Sequence, residues 1–222
     1  MAGRSTKTRD RLLAAACELF AEHGFGDTTV AAICERAGAN VAAVSYHFGS
    51  KEGLYVAAWR HAHQAMLAAC PPDGDVAADA PPAERLRGRI RSLVRAALGE
   101  HDGAFRIMHH EMTRPTGLLR EVFRESIRPL RRLTAGIVAE LLGPGADERT
   151  VRLCTLSVTA PCHQLLRMRR MRRHLRRRAW PGDDAEEVLV EQFTSFALGG
   201  IERLRPARGR PAAAPQQQGA SA

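Results

Sequence analysis

The chain has 222 residues, 45% hydrophobic and 26% charged, with a formal net charge of +9. That composition excludes a largely disordered protein and suits one medium domain, or a small domain joined to a larger one. No apolar run approaches the roughly 20 residues of a membrane helix, and the opening MAGRSTKTRD has no apolar core of the secretory kind, so no membrane partner and a cytoplasmic location are expected.

Taken in chain order, residues 1–7 read as a flexible basic arm. Over residues 8–23, Leu12, Leu13, Ala16, Cys17, Leu19 and Phe20 recur at helical spacing, and Gly24 stops the pattern. Residues 28–37 form a short helix ended by Gly38, and residues 41–48 another, capped by Asn40. A fourth helix spans 52–69, with Ser50 as N-cap and Glu52 in its first turn. The stretch PPDGDVAADAPP, residues 71–82, reads as a linker or mobile loop. Further helices are expected over 83–99, 103–113, 116–142, 147–178 and 184–204, with Pro129 and Pro161 kinking or splitting two of them. The tail from Pro206 is poor in apolar bulk and reads as disordered. No alternating strand pattern persists, so the fold class is all-α.

A basic balance suits a polyanionic partner, yet residues 1–68 hold seven bases against six acids. The excess lies mainly in RMRRMRRHLRRR, residues 167–178. Leu166, Met168, Met171 and Leu175 recur there at near-helical spacing, which reads as an amphipathic helix with a basic outer side. Contact of that run with nucleic acid or an acidic ligand stays open. Cys17, Cys34, Cys70, Cys154 and Cys162 contain no C-x-x-C pair, so they read as small core side chains.

The informative segment is TTVAAICERAGANVAAVSYHFGSK, from Thr28 to Lys51. Two short helices meet at a tight glycine turn, a pairing that can lay its second helix in the major groove. On that helix Asn40, Ala42, Ala43 and Ser45 are small or hydrogen-bonding, which allows close approach to base edges. Tyr46, His47 and Lys51 cluster at its far end as phosphate donors. From the residues alone, Tyr46 on a short helix is more often a core side chain with a wet tip, and His47 is equally a plain surface residue.

AGANVAAVSYHFGSKEGLY, preceded by LLAAACELFAEHGFGDTTVAAIC, resembles the first helices of the TetR family across about residues 8–60. The resemblance implies a DNA-binding head over 8–54, a bridging helix to about 69, a ligand-binding and dimerisation body over 83–204, and a disordered tail over 205–222. It places Thr29, Val41, Ala42, Ala43, Tyr46, His47 and Lys51 at the DNA, with Thr29 and Lys51 holding phosphates from two sides of the groove, and Thr28 is expected beside them. The family often has Tyr where Ser45 stands. EMTRPTGLLREVFRESIRPLRRLTAGIVAELLG, in the second half, resembles a CecR-like subgroup.

A homodimer on a pseudo-palindromic operator is expected, because one short helix covers too few base pairs. Its interface is expected from residues 151–166 together with Val188, Leu189, Phe193, Phe196 and Ile201, with Gly199 and Gly200 allowing close approach. A small-molecule effector pocket is expected near Pro129 and Pro161, drawing on Phe105, His109, Met112, Cys162, His163 and Leu166. Adjacent helix residues point different ways, so His109, His110 and Glu111 are not expected to share a metal, and no cofactor is called for. The leading reading is a repressor released by its effector. An activator of the same fold, a non-specific basic nucleic-acid coat and an all-helical enzyme are the rivals, the last lacking any nucleophile–base set or phosphate loop.

Overall fold

The computed structural model describes residues 2–99, 102–175 and 185–206. Among them lie nine helices and no strand: α1 (Ala2–Asp27), α2 (Val30–Ala37), α3 (Ala42–Phe48), α4 (Lys51–Ala69), α5 (Pro82–Leu98), α6 (Gly103–Thr113), α7 (Arg120–Leu142), α8 (Glu148–Leu175) and α9 (Ala185–Arg203). No helix among the described residues is long and apolar enough to cross a membrane. Most of the Arg-rich run's side chains, and the tail from residue 207, lie outside the described residues.

Two apolar cores organise these helices. The first packs Leu12, Ala16, Leu19 and Phe20 of α1 against Ile33 of α2, Val44 of α3, and Leu54, Tyr55, Ala58 and Trp59 of α4. Burying each large apolar side chain contributes about 1.5–3 kcal/mol, so this small head depends on nearly all of them. It also draws Ile107 from α6, and Leu119 and Val122 from the start of α7 and the turn before it. The second core joins Leu86, Ile90 and Val94 of α5, Ile137, Val138 and Leu142 of α7, Cys154 and Val158 of α8, and Leu189, Val190 and Ile201 of α9.

Several expectations are corrected. Residues 2–7 are not a loose arm but the first turns of α1. Adding residues to an existing helix costs far less than nucleating one, and polar helix formers suffice for it. Residues 71–81 are a docked loop: Ser92 Oγ donates to the Cys70 carbonyl at 3.2 Å, and the Gly74 amide closes a turn on Pro71. Of the kink or split expected at Pro129 and Pro161, the split does not occur: α7 and α8 each run through their proline. Helix α7 begins at Arg120 rather than near 116, because Glu111 holds the preceding turn. Its buried carboxylate accepts from the Thr116 and Gly117 amides, the Thr116 hydroxyl and the Tyr55 hydroxyl of α4, at 2.8–3.3 Å. Such multiple donation makes a buried carboxylate tolerable. Burial, then the Glu111 charge, pushes the Tyr55 phenol up, so it stays a donor.

Helix α6 therefore bridges the two parts. Its Ile107 enters the first core and its Glu111 ties to α4. Its His110 lies on Gly24, where α1 bends at φ 78°; a Cβ there would sit 3.0 Å from the His110 ring nitrogen.

Candidate DNA-reading face and interior polar cluster

Local caps shape the helix pair. The Thr29 hydroxyl accepts from the Ala32 amide at 3.1 Å, opening α2 and leaving its own proton to point outward. Gly38 ends α2 in the left-handed region (φ 57°, ψ 45°), and the Gly38 and Ala39 amides return to the Glu35 and Cys34 carbonyls. The Asn40 carboxamide oxygen then accepts from the Ala42 amide at 2.9 Å and starts α3. Its oxygen is thus spent on the turn, and its NH2 remains as a donor.

Helix α3 has one inward and one outward side. Val44 is 2% exposed, and Ala43 and Phe48 pack against the first core. Outward stand Ala42, Ser45, Val41 (54% exposed) and Tyr46 (80% exposed). Tyr46 is therefore not a core residue. A fully wetted phenol on a two-turn helix gains nothing in the free protein, which suits a contact made with a partner. The half-buried His47 ring lies 4.8 Å from that of Tyr46. Lys51 opens α4, where the Ser50 hydroxyl caps the Gly53 amide, and its Nζ sits 4.3 Å over the Phe25 ring. That cation–π contact orients the ammonium without removing its charge.

Thr28 does not belong to this surface. It is 2% exposed, and its hydroxyl lies 2.7 Å from the Gly24 carbonyl and 3.2 Å from that of Leu19. It fastens the bend of α1, while Thr29, one residue on, faces out. Conversely, sequence reasoning left out the basic start of α1. Arg9 lies over the Phe48 ring at 5.4 Å, and Lys7 and Arg11 are exposed on the same helix. Their i, i+4 spacing was the available signal.

A second group of polar residues lies inside the body. Arg89 of α5 is 5% exposed. Its Nε donates to Thr134 Oγ1 of α7 at 3.1 Å and its Nη1 reaches the Pro72 carbonyl at 3.5 Å. Among the described residues no carboxylate pairs with it, and burial pulls its pKa down to about 10. Cys162 and His163 of α8 are its neighbours, the thiol pushed up to about 12 by burial and the imidazole held down by burial and then by the Arg89 charge. His163 is exposed on α8, although nearby protein atoms desolvate its ring enough to lower its pKa. The Phe105 ring of α6 lies 6.2 Å from it.

Of the expected pocket residues, Phe105, Cys162 and His163 thus come together. Met112 does not: it is 73% exposed at the far end of α6. His109 is half-buried, and the Leu166 side chain lies outside the described residues. Two further buried groups went unpredicted. Among the described residues Trp59 Nε1 and His63 Nε2 of α4 have no hydrogen-bond partner, and the two rings stack at 4.7 Å. They share one face of α4 with Met66 and Cys70, at i, i+4, i+7 and i+11. The five cysteines are free, and burial raises every thiol.

The outer side of α8 and α9 exposes Leu153, Leu156, Val188 and Phe196, with Gly199 and Gly200 also bare. Of the residues expected at a dimer interface, Leu189 and Ile201 instead fill the chain's own second core and Phe193 packs on it.

Comparison with known proteins agrees with this geometry. Bacterial regulatory proteins of the tetR family match over residues 12–58, and the C-terminal domain of the HTH-type transcriptional dual regulator CecR matches over residues 82–201. The chain is 27% identical to the HTH-type transcriptional dual regulator CecR of Shigella flexneri over 68% of its own length and 72% of that protein's. It is 35% identical to the HTH-type transcriptional regulator BetI of Burkholderia thailandensis, over 40% of this chain and 43% of that one. In fold it is similar to a TetR-like transcriptional regulator from Rhodococcus sp. RHA1 (TM-score 0.65, 19% identity, 88% and 96% of the two chains). It is also similar to AibR, solved in complex with isovaleryl coenzyme A and operator DNA (TM-score 0.66, 14% identity, 85% and 97%). The chain belongs to the TetR family of DNA-binding transcriptional regulators, carries a C-terminal domain of the CecR type, and is accordingly not an enzyme.

Proposed function

We propose that two copies of this chain bind a pseudo-palindromic operator as a repressor and leave it when the body takes up a small-molecule effector. The observation that carries the reading is α3: anchored by Val44, it presents Val41, Ala42, Ser45 and Tyr46 to solvent. Small residues there let the helix approach base edges, and Ala42 can meet a thymine methyl. Thr29, Tyr46, His47 and Lys51 flank it as phosphate contacts, joined by Lys7 and Arg9, and Asn40 supplies its NH2. The exposed apolar side of α8 and α9 supports pairing of two copies, since Leu153, Leu156, Val188 and Phe196 would otherwise stay in water.

Release follows from how the parts connect. Helix α6 touches the interior cluster through Phe105 and the head through Ile107, His110 and Glu111. An effector that binds better when α6 is displaced shifts the pair toward a head spacing unsuited to the operator. The similarity to the dual regulator CecR of Shigella flexneri favours activation at some promoters as a second role.

Selection of duplexes from a random pool, followed by salt-titrated mobility shifts, tests the reading. A two-fold symmetric site preferred over random duplex by about 10³ or more is expected. Equal binding to both, with the same salt slope, would instead mark a non-specific coat.

A further inference from the structure

Inside the body lies a cation that no carboxylate among the described residues answers. Arg89 is 5% exposed, yet its recorded contacts are a threonine hydroxyl and a carbonyl at the outer limit of hydrogen bonding. Among the described residues no group accepts a hydrogen bond from Nη2. Three other arginines of α5 are paired, Arg85 with Glu140, Arg87 with Glu187 and Glu191, and Arg95 with Glu186 and Asp75, while Arg91 is only half-buried and stays in reach of water. A buried, unpaired guanidinium is costly, so an arrangement that keeps one suits a site where the counter-charge arrives from outside.

We propose that Arg89 is the anchor for a monocarboxylate effector, an organic acid with an apolar body, held between α4, α5, α6 and α8. The planar guanidinium presents paired N–H donors that match the two oxygens of a carboxylate. One charge is called for, because the groups around it are neutral: the Thr134 hydroxyl, the Cys162 thiol and the His163 imidazole. The rest of the acid would lie along Phe105, which packs with Met66, Cys70 and Ala96. The same guanidinium touches the Pro72 carbonyl, two residues beyond Cys70 at the end of α4. Binding the acid therefore competes with the contact that holds the loop after the bridging helix, which gives the effector a grip on the head.

This inference rests on the reading that the body takes a small-molecule effector. Calorimetry and thermal shift on the full-length protein test it, with hexanoate and benzoate set against hexanamide and benzamide. At least one acid is expected to bind and raise the melting temperature, with its amide at least about tenfold weaker. Arg89→Lys, which keeps the charge but loses the fork, is expected to weaken the acid about tenfold. Arg89→Met should abolish binding while leaving the melting temperature of the free protein unchanged or higher, since an unpaired buried charge is removed. A purely structural Arg89 would show the opposite: a lower melting temperature and no acid binding in the parent. Acids and amides binding alike, neither acid binding, or Arg89→Met binding as the parent does, would each overturn the proposal. Operator selection by the free protein runs in parallel. If acids fail while the chain still selects a site, only this inference falls. If an acid binds through Arg89 but no site is selected, the regulatory reading falls and the anion site stands.

Discussion

In the head, polar side chains close local turns and the contact-making residues stand outside: Thr28, Thr29, Asn40 and Ser50 cap or fasten, while Tyr46 and Ser45 face solvent. In the body the arrangement is inverted. Arg85, Arg87 and Arg95 of α5 are paired with glutamates at the surface, while Arg89 of the same helix is buried with no carboxylate among the described residues. On the proposed function, the head, which would meet a large polyanion, keeps its donors outside where a rigid partner can reach them, and the body, which would take a small molecule, keeps them inside where a desolvated contact is strong.

That contrast can be broken at several points. The largest effect is expected for Ala42→Glu, which puts a carboxylate at the base edges: operator affinity should fall by about 100-fold or more, with an unchanged melting curve. A parallel loss of fold would mean Ala42 is not simply outward. Next, Glu111→Ala removes the acceptor shared by four donors and should cost about 3 kcal/mol in denaturant unfolding, mostly restored in Glu111→Gln. Lys51→Ala should weaken all duplexes alike and reduce the salt slope by about 1, whereas Ser45→Ala should alter which sequences are selected. Thr28→Val should cost about 1 kcal/mol of stability and leave sequence preference untouched, separating it from Thr29.

The smallest effect concerns pH. Burial holds His63 below its ordinary value, and His163 likewise. The unfolded chain then takes up protons first as pH falls through about 6.5, so stability present above that value is lost below it. Replacing His63 with Phe should flatten this acid-side decline in thermal melts; an unchanged slope would assign it elsewhere.

Much of the head was legible because its signals are local. Gly38, Asn40 and Ser50 mark the helix ends by backbone chemistry that depends on a few neighbours. Adjacent threonines were not resolvable, because a helix entry turns Thr28 inward and Thr29 outward by a rotation that sequence spacing does not fix. The start of α1 was missed because it has no apolar stripe, though its basic spacing is helical. In the body, α9 is apolar on two sides, and nothing in its pattern says that Leu189 and Ile201 face the chain's own core while Val188 and Phe196 face out. Arg89 was hidden among five arginines in eleven residues, yet its place was readable: it lies three after Leu86 and four before Leu93, on the stripe that enters the second core.

Methylation interference on a selected operator addresses the central claim most directly. Methyl groups at guanine N7, in the major groove, should block binding within two symmetric half-sites, while those at adenine N3, in the minor groove, should leave the half-site centres unaffected. Blocking confined to the minor groove, or none at either position, would mean that α3 does not enter the DNA as described.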